Sequence, residues 1–526
     1  MLLHELILHN ANVAPQSIAL SDGGREVIYA DLAEEITSAS NLFLSLGLDR
    51  RDRVAIYMDK RVDTVVAMFG AAAAGGAFVP VNPLLKPDQV THILKDCNVR
   101  VLVTSAERME LLRPVLSNCH DLRCIVVISE QTPAKIDGIS NANWVERKNA
   151  PLLNAHRIVD SDMAAILYTS GSTGKPKGVV LSHRNLVAGA DSVSQYLENH
   201  AADRILSVLP MSFDYGLNQI TSAFRVGACA VLMNYLFPRD VIRAVERETI
   251  TGLAAVPPLW VQLSQLDWPA GVDAHLRYIT NSGGAMPTST LNALRGKLPR
   301  TKPYLMYGLT EAFRSTYLHP DEVDRRPDSM GKAIPNAEII VVREDGTPCA
   351  PGEPGELVHR GVHVALGYWN DPEKTAERFK VAPGQPAGLP MPEMAVWSGD
   401  TVKMDDEGFL YFIGRRDEMI KTSGYRVSPT EIEEVIYATE LATEVAAIGV
   451  AHPVLGQAVV LVIYKDTQDE TIGDQILASC KRQLPAFMVP AQIVIRNEPL
   501  PRNPNGKINR KSIAAELAQL FEENPT

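Results

Sequence analysis

Residues 169–178 read TSGSTGKPKG, placing three glycines, four hydroxyl side chains and two lysines in ten positions. Glycines let backbone amides approach an anion with no side chain in the way, hydroxyls donate hydrogen bonds, and ammonium groups add charge. The stretch therefore suits the wrapping of a polyphosphate, with Thr169, Ser170, Gly171, Ser172, Thr173, Gly174, Lys175 and Lys177 as candidate ligands. It is not a Walker loop. Only two residues separate Gly171 from Gly174, and Pro176 follows Lys175 where that motif needs Ser or Thr. Pro176 also disfavours a helix opening there, which puts the lysines on a turn. Upstream, MAAILYTS reads as a buried strand; downstream, VVLSHRNLV reads as a second strand leading to a helix capped at Ser182. Composition alone would equally describe a flexible linker, but two flanking apolar strands argue for a loop held inside a sheet.

Working outward, strand-like runs (RVAIYM, VRVLVTS, CIVVIS, AAILYT, AVLM) alternate with helical stretches, the pattern of an α/β protein with largely parallel sheets. At 526 residues the chain is long enough for more than one domain, and 46% hydrophobic with 21% charged residues is ordinary for a globular protein. Residues 384–392, GQPAGLPMP, read as a surface loop. After GRRDEM the pattern becomes a compact αβ unit of about 110 residues, enough for a small domain. The expected division is a large domain over 1–416 and a small one over 417–526.

Residues 64–85 carry no charge over about 22 positions, roughly the length of a spanning helix. Gly75, Gly76, Pro80 and Pro83 break that helix in its second half, so a helix of small residues followed by a buried strand is expected, with no integral membrane segment. A net charge of -11 without a basic stripe disfavours nucleic acid as a partner. The six cysteines form no CxxC pair and suggest no disulfide framework, which fits the cytoplasm. MLLHELILHN carries Glu5 early and lacks a basic leader region, so it reads as an amphipathic helix, not a signal peptide.

Further motifs follow the phosphate loop in order: NSGGAMP at 281–287, YGLTEA at 307–312, GELVHRGVHVALGYWN at 355–370, SGD at 398–400, GRRDEMIKTSGYRVSPTEIE at 414–433 and PRNPNGKINR at 501–510. FVPVNPLL at 78–85 is also consistent. Together with YTSGSTGKPKGVVLSHRNL, these resemble the signatures of the adenylate-forming superfamily, which includes acyl- and aryl-CoA ligases, amino-acid adenylation domains and luciferases. The resemblance covers the chain from about residue 165 to its end.

The resemblance implies ATP-dependent conversion of a carboxylic acid to an acyl-AMP and then to a thioester of CoA, with ATP, Mg²⁺ and CoA as the small molecules required. A carboxylate and a triphosphate are both negative, so such a site must supply cations and oriented donors. By resemblance, Glu311 holds Mg²⁺, Thr310 hydrogen-bonds phosphate, Tyr307 stacks on adenine, and Gly284 and Ala285 border the nucleotide. Asp400 accepts both ribose hydroxyls, and Arg415 holds ribose or phosphate. Lys507 bridges the substrate carboxylate and the α-phosphate. The small domain takes two orientations, hinged at Asp417, the second bringing Gly424 to line the thiol channel and Arg426 to position its loop.

Substrate choice centres on residues 209–219, LPMSFDYGLNQ, with Phe213, Asp214 and Gly283 expected in the acyl pocket. Many CoA ligases have histidine where Asp214 stands, and amino-acid adenylation domains have an aspartate there that binds the substrate ammonium. A buried aspartate needs a partner or a proton, and an ammonium would serve; a local backbone contact is the structural alternative. Tyr215 and Gly216 fit the CoA-ligase pattern better. The leading expectation is therefore an acyl-CoA ligase, with a freestanding amino-acid adenylation enzyme loading an acyl-carrier protein as the alternative. A catalytically silent scaffold is disfavoured by the intact Lys507, Glu311, Asp400 and phosphate loop.

Overall fold

The computed structural model describes residues 1–521 except 130–135, 137, 170–175, 387, 416–417, 423–424, 453–454, 466–470, 485 and 505. Around the opening motif the chain folds as read. Met163–Thr169 and Lys177–Ser182 pair antiparallel with Leu167 opposite Val179, and the Ser182 hydroxyl caps the helix His183–Tyr196 by accepting from the Asn185 amide at 3.1 Å. Of the expected phosphate ligands, Ser170, Gly171, Ser172, Thr173, Gly174 and Lys175 lie outside the described residues.

These two strands belong to an eight-stranded sheet built on Arg53–Tyr57, which pairs parallel with Ala77–Pro80 and Val99–Ser105. The first part of the uncharged segment lies in the helix Val62–Ala73 that connects the first two of those strands, apolar apart from Asp63 and Thr64 and almost wholly buried. A helix of that kind belongs between layers. Phe69 on it meets Phe224 edge-on, ring centroids 5.4 Å apart, in a core that also holds Leu167 from the eight-stranded sheet and Leu232 from the second sheet. No helix among the described residues is long and apolar enough to cross a membrane.

Among the described residues the second sheet has fourteen strands. Ile18–Asp22, Cys229–Leu232, Arg204–Ser207, Gly252–Ala255, Tyr278–Asn281 and Lys302–Tyr307 run parallel, each reached through intervening helices as the alternating pattern requires. From Thr316–Leu318 the sheet continues antiparallel through Ser329–Ala333, Leu410–Arg415, Met394–Met404, Gly355–Gly361 and Ala337–Val342. Some of these neighbours, such as Met394–Met404 and Leu410–Arg415, are joined by short turns that only antiparallel strands allow, while others, such as Ser329–Ala333 and Leu410–Arg415, come from distant parts of the chain.

A third sheet is formed entirely from Ile420–Thr422, Tyr425–Val427, Glu444–His452, Gly456–Tyr464 and Gln492–Arg496. Its two apolar clusters draw only on residues 420–521. The expected hinge residue Asp417 lies outside the described residues. All six cysteines are free; Cys349 is half-buried and the others are buried.

Candidate active site

The carboxyl ends of the parallel strands Gly252–Ala255, Tyr278–Asn281 and Lys302–Tyr307 open onto one cleft, the place where α/β sheets usually bind ligands. The cleft has a volume of about 2100 Å³ and is closed on its far side by residues of the C-terminal unit, among them Lys507.

Lys507 sits on the turn after Gly506, its amide donating to Asn503 Oδ1 at 3.0 Å. Its side chain is exposed within the open cleft, with protein atoms gathered around the ammonium group. Burial pushes its pKa down, as does Arg415; Asp214 and Asp400 pull the other way. At Gly283, φ is +85° and an added Cβ would lie 3.5 Å from Lys507 Cε and 3.7 Å from Phe213 Cζ. A side chain there would be strained by its backbone and would touch the lysine. Gly283, Phe213 and Lys507 thus lie side by side. Asn82 Nδ2 donates to Pro504 O at 3.1 Å, a further tie between the two parts of the chain.

On the opposite wall, Asp400 is buried within the strand Met394–Met404, next to Gly399, whose φ is +69°. Asp400 Oδ2 accepts from the Tyr307 hydroxyl at 2.5 Å, and Arg415 Nε lies 3.3 Å from Oδ1. Burial raises the Asp400 pKa, against Arg415 and the Tyr307 hydrogen bond. Tyr307 and Asp400, expected at adenine and ribose, are thereby held side by side. Gly284 and Ala285 are exposed on the cleft rim, and Asn281 Nδ2 fixes their loop by donating to Gly284 O at 2.9 Å.

Glu311 Oε1 accepts from the Tyr368 hydroxyl at 2.5 Å, and Lys177 Nζ stands 5.4 Å from the Tyr368 ring centroid. Thr169 also lines the cleft. Lys177 has its pKa lowered by burial and by Lys374, so cations converge there. No group of three or more His, Cys, Asp or Glu side chains among the described residues is placed to hold a metal. Glu311 still suits Mg²⁺, which is commonly bound by one or two carboxylates with phosphate oxygens and water completing the shell.

Two expectations are modified. Thr310 was expected on phosphate, but its hydroxyl donates to Asp214 Oδ1 at 3.0 Å. Asp214 was the candidate anchor for a substrate ammonium, but Arg314 Nη1 donates to its Oδ2 at 3.0 Å. Asp214 is the first residue of the buried helix Asp214–Val226 and is 3% exposed, so its carboxylate needs the donors that Thr310 and Arg314 supply. Burial still raises its pKa, with Arg314 opposing. The ion pair reverses the argument from an isolated charge, because the counter-charge comes from the chain itself. Gly424 lies outside the described residues, as does the side chain of Arg426.

The sequence reading missed Arg314 and Tyr368. Arg314 is 1% exposed, and a lone arginine in the otherwise uncharged run AFRSTYL was the available signal. Tyr368 stood within the quoted GYWN motif without a role. Its partnership with Glu311 joins residues 57 apart in the chain and needs the fold to be seen.

The AMP-binding enzyme family matches residues 7–369, and the AMP-binding enzyme C-terminal domain matches residues 431–507. A long-chain-fatty-acid–CoA ligase of Escherichia coli O157:H7 is 30% identical over 91% of this chain and 88% of its own. Gramicidin S synthase 2 of Aneurinibacillus migulanus is 27% identical over 97% of this chain, which spans only 11% of that much longer protein. The crystal structure of ATP-bound MatB from Rhodopseudomonas palustris has the same fold, with a TM-score of 0.87 over 99% of this chain and 100% of that one, at 24% identity.

Proposed function

Because this chain belongs to the family of AMP-binding enzymes, we propose that it activates a carboxylic acid with ATP and passes the acyl group to the thiol of CoA. The acid's carboxylate oxygen attacks the α-phosphate, the bond from that phosphorus to the bridging oxygen breaks, and pyrophosphate leaves. CoA sulfur then attacks the acyl carbon of the acyl-AMP, AMP leaves with the former carboxylate oxygen, and the thiol proton passes to solvent. The observation that carries this reading is the meeting of Lys507, Asp400, Arg415, Gly283 and Phe213 around one cleft.

Each residue has a task that its chemistry allows. Lys507 is a flexible cation that neutralises the substrate carboxylate and the α-phosphate as charge shifts between them. Asp400 offers its carboxylate oxygens to the ribose hydroxyls, with Arg415 Nε 3.3 Å from Oδ1 as the neighbouring cation. Tyr307 keeps Asp400 in place and presents its ring beside it. Thr169 and Lys177, with Ser170, Gly171, Ser172, Thr173, Gly174 and Lys175, surround the polyphosphate. Glu311, oriented by Tyr368, would hold Mg²⁺, which when bound offsets phosphate charge.

In this arrangement Lys507 is in the cleft, as the first step requires. The second step uses a rotation of the C-terminal unit about Asp417 that withdraws Lys507 and brings Gly424 and Arg426 to the thiol path. Free cysteines throughout fit work in a reducing compartment such as the cytoplasm.

The competing reading is an amino-acid adenylation enzyme that loads a carrier protein; Asp214 favours it and the Arg314 counter-charge weakens it. Acid-dependent ATP–pyrophosphate exchange, followed with and without CoA, separates the two. Exchange with a non-amino acid and AMP release that needs CoA supports the ligase. Exchange with amino acids alone, indifferent to CoA, overturns it.

A further inference from the structure

The wall of the acyl pocket holds polar atoms that the protein leaves unsatisfied. Arg314 is nearly inaccessible, and among the described residues its Nε and Nη2 have no hydrogen-bond acceptor, Asp214 being served by Nη1 alone. Ser212 and Asn281 line the same cleft, and among the described residues Ser212 Oγ and Asn281 Oδ1 are likewise buried without hydrogen-bond partners. Buried polar groups nearly always find partners, so unpartnered ones along a ligand cleft call for a ligand that supplies them.

The geometry of Arg314 narrows the chemistry. Nε–H and one N–H of Nη2 point the same way from the planar guanidinium and form the fork that grips two oxygens of a carboxylate, or straddles a carbonyl. The Tyr215 ring centroid lies 4.6 Å from Arg314 Cζ, over the guanidinium, a contact that uses its face and leaves the in-plane edge for acceptors. The chain also accepts backbone strain to put the arginine there. Phe313 has φ +56° and ψ -45°, and the Arg314 amide donates to Ala312 O at 2.6 Å, making a positive-φ γ-turn, a rare and strained form. Strain of this sort gathers at ligand sites.

We propose that the acid activated here carries a second oxygen acceptor, a carboxylate, carbonyl or hydroxyl beyond the reacting carboxylate, and that Arg314 is the specificity-determining residue that reads it. This rests on the acid-activating function proposed above. A plain hydrocarbon chain would leave the fork and the Ser212 hydroxyl unpaired in the complex, and such sites discriminate strongly against analogues lacking the expected polar group.

The test is a panel of acids matched in chain length (unsubstituted, hydroxy, oxo and dicarboxylic) together with α-amino acids, each scored by kcat/KM for pyrophosphate release. An oxygen-bearing acid is expected to exceed its unsubstituted counterpart by about tenfold or more, about 1.4 kcal/mol in transition-state binding. Arg314→Lys keeps the charge, loses the fork and should bring the ratio close to one, chiefly through KM. Unsubstituted or simple amino acids performing as well in the wild type, or a ratio unchanged in a folded Arg314→Lys, overturns the inference. If that variant does not fold, the wild-type panel alone decides. Activation of unsubstituted acids would sink only this inference; pyrophosphate release with no acid at all would sink the function beneath it.

Discussion

Lys507 carries the charge that the first chemical step needs, and its surroundings set when that charge is present. Its pKa is lowered by burial and by Arg415, so the ammonium is lost at a lower pH than an ordinary lysine would allow. Acyl-AMP formation should therefore decline as pH rises, with a midpoint below 10.5, while thioester formation from supplied acyl-AMP should lack that limb. Lys507→Gln should slow the first step about 100-fold or more, as loss of transition-state electrostatics does, and spare the second. Rapid-quench measurement of the two half reactions checks both; equal losses in each would assign Lys507 a merely structural role. Asp214→Ala is a separate matter of stability. It leaves Arg314 buried without its counter-charge and should cost about 3–5 kcal/mol, measured by urea denaturation; a change within error would mean that water or relaxation compensates the arginine.

At the scale of elements, buried histidines tie the strand Gly355–Gly361 and the turn after it to their neighbours. His359 contacts Ser315 Oγ at 3.0 Å, and His363 contacts Ser192 Oγ at 3.1 Å. Burial lowers His359 to about 3 and His363 to about 4, and it lowers His183, which accepts from the Leu3 amide, to about 4. Folded-state values below the unfolded 6.5 mean that the unfolded chain takes up protons first, so stability is full above 6.5 and falls as the solution is acidified. Each histidine should remove about 2 kcal/mol by pH 5. Melting curves from pH 7.5 to 5 should show a steep loss that His359→Gln makes shallower; the same slope in both proteins would contradict the assignment.

The elements were readable where their signal is local. The strands around residues 53–57, 99–105 and 163–182 and the helix cap at Ser182 follow from apolar runs and capping chemistry within a few residues. The antiparallel stretch after Thr316 was not read, because strand direction depends on what connects the strands, and the helical signal fades there without marking a new architecture. In the site, Lys507, Asp400 and Gly283 stood out through their motifs, whereas the engagement of Asp214 by Arg314 joins positions 100 apart in the chain. The γ-turn that aims Arg314 lies at a phenylalanine, a residue type that gives no warning of positive φ.

Across the whole molecule, the account requires the C-terminal unit to leave the position it holds here. Asn82 and Pro504 meet across the cleft, so cysteines placed at these two sites and joined by a short bismaleimide, with Cys349 replaced by serine, should hold Lys507 in place. The linked enzyme should keep acid-dependent pyrophosphate exchange and lose thioester formation; retention of both would mean that no such rotation is needed. Beneath this lies the claim that the acid attacks the α-phosphate, and isotopic oxygen reads it most directly. With a substrate acid labelled with heavy oxygen in its carboxylate, one labelled oxygen should appear in AMP once CoA is added. Label in inorganic phosphate with ADP as the nucleotide product, or AMP without label, would contradict an acyl-AMP intermediate.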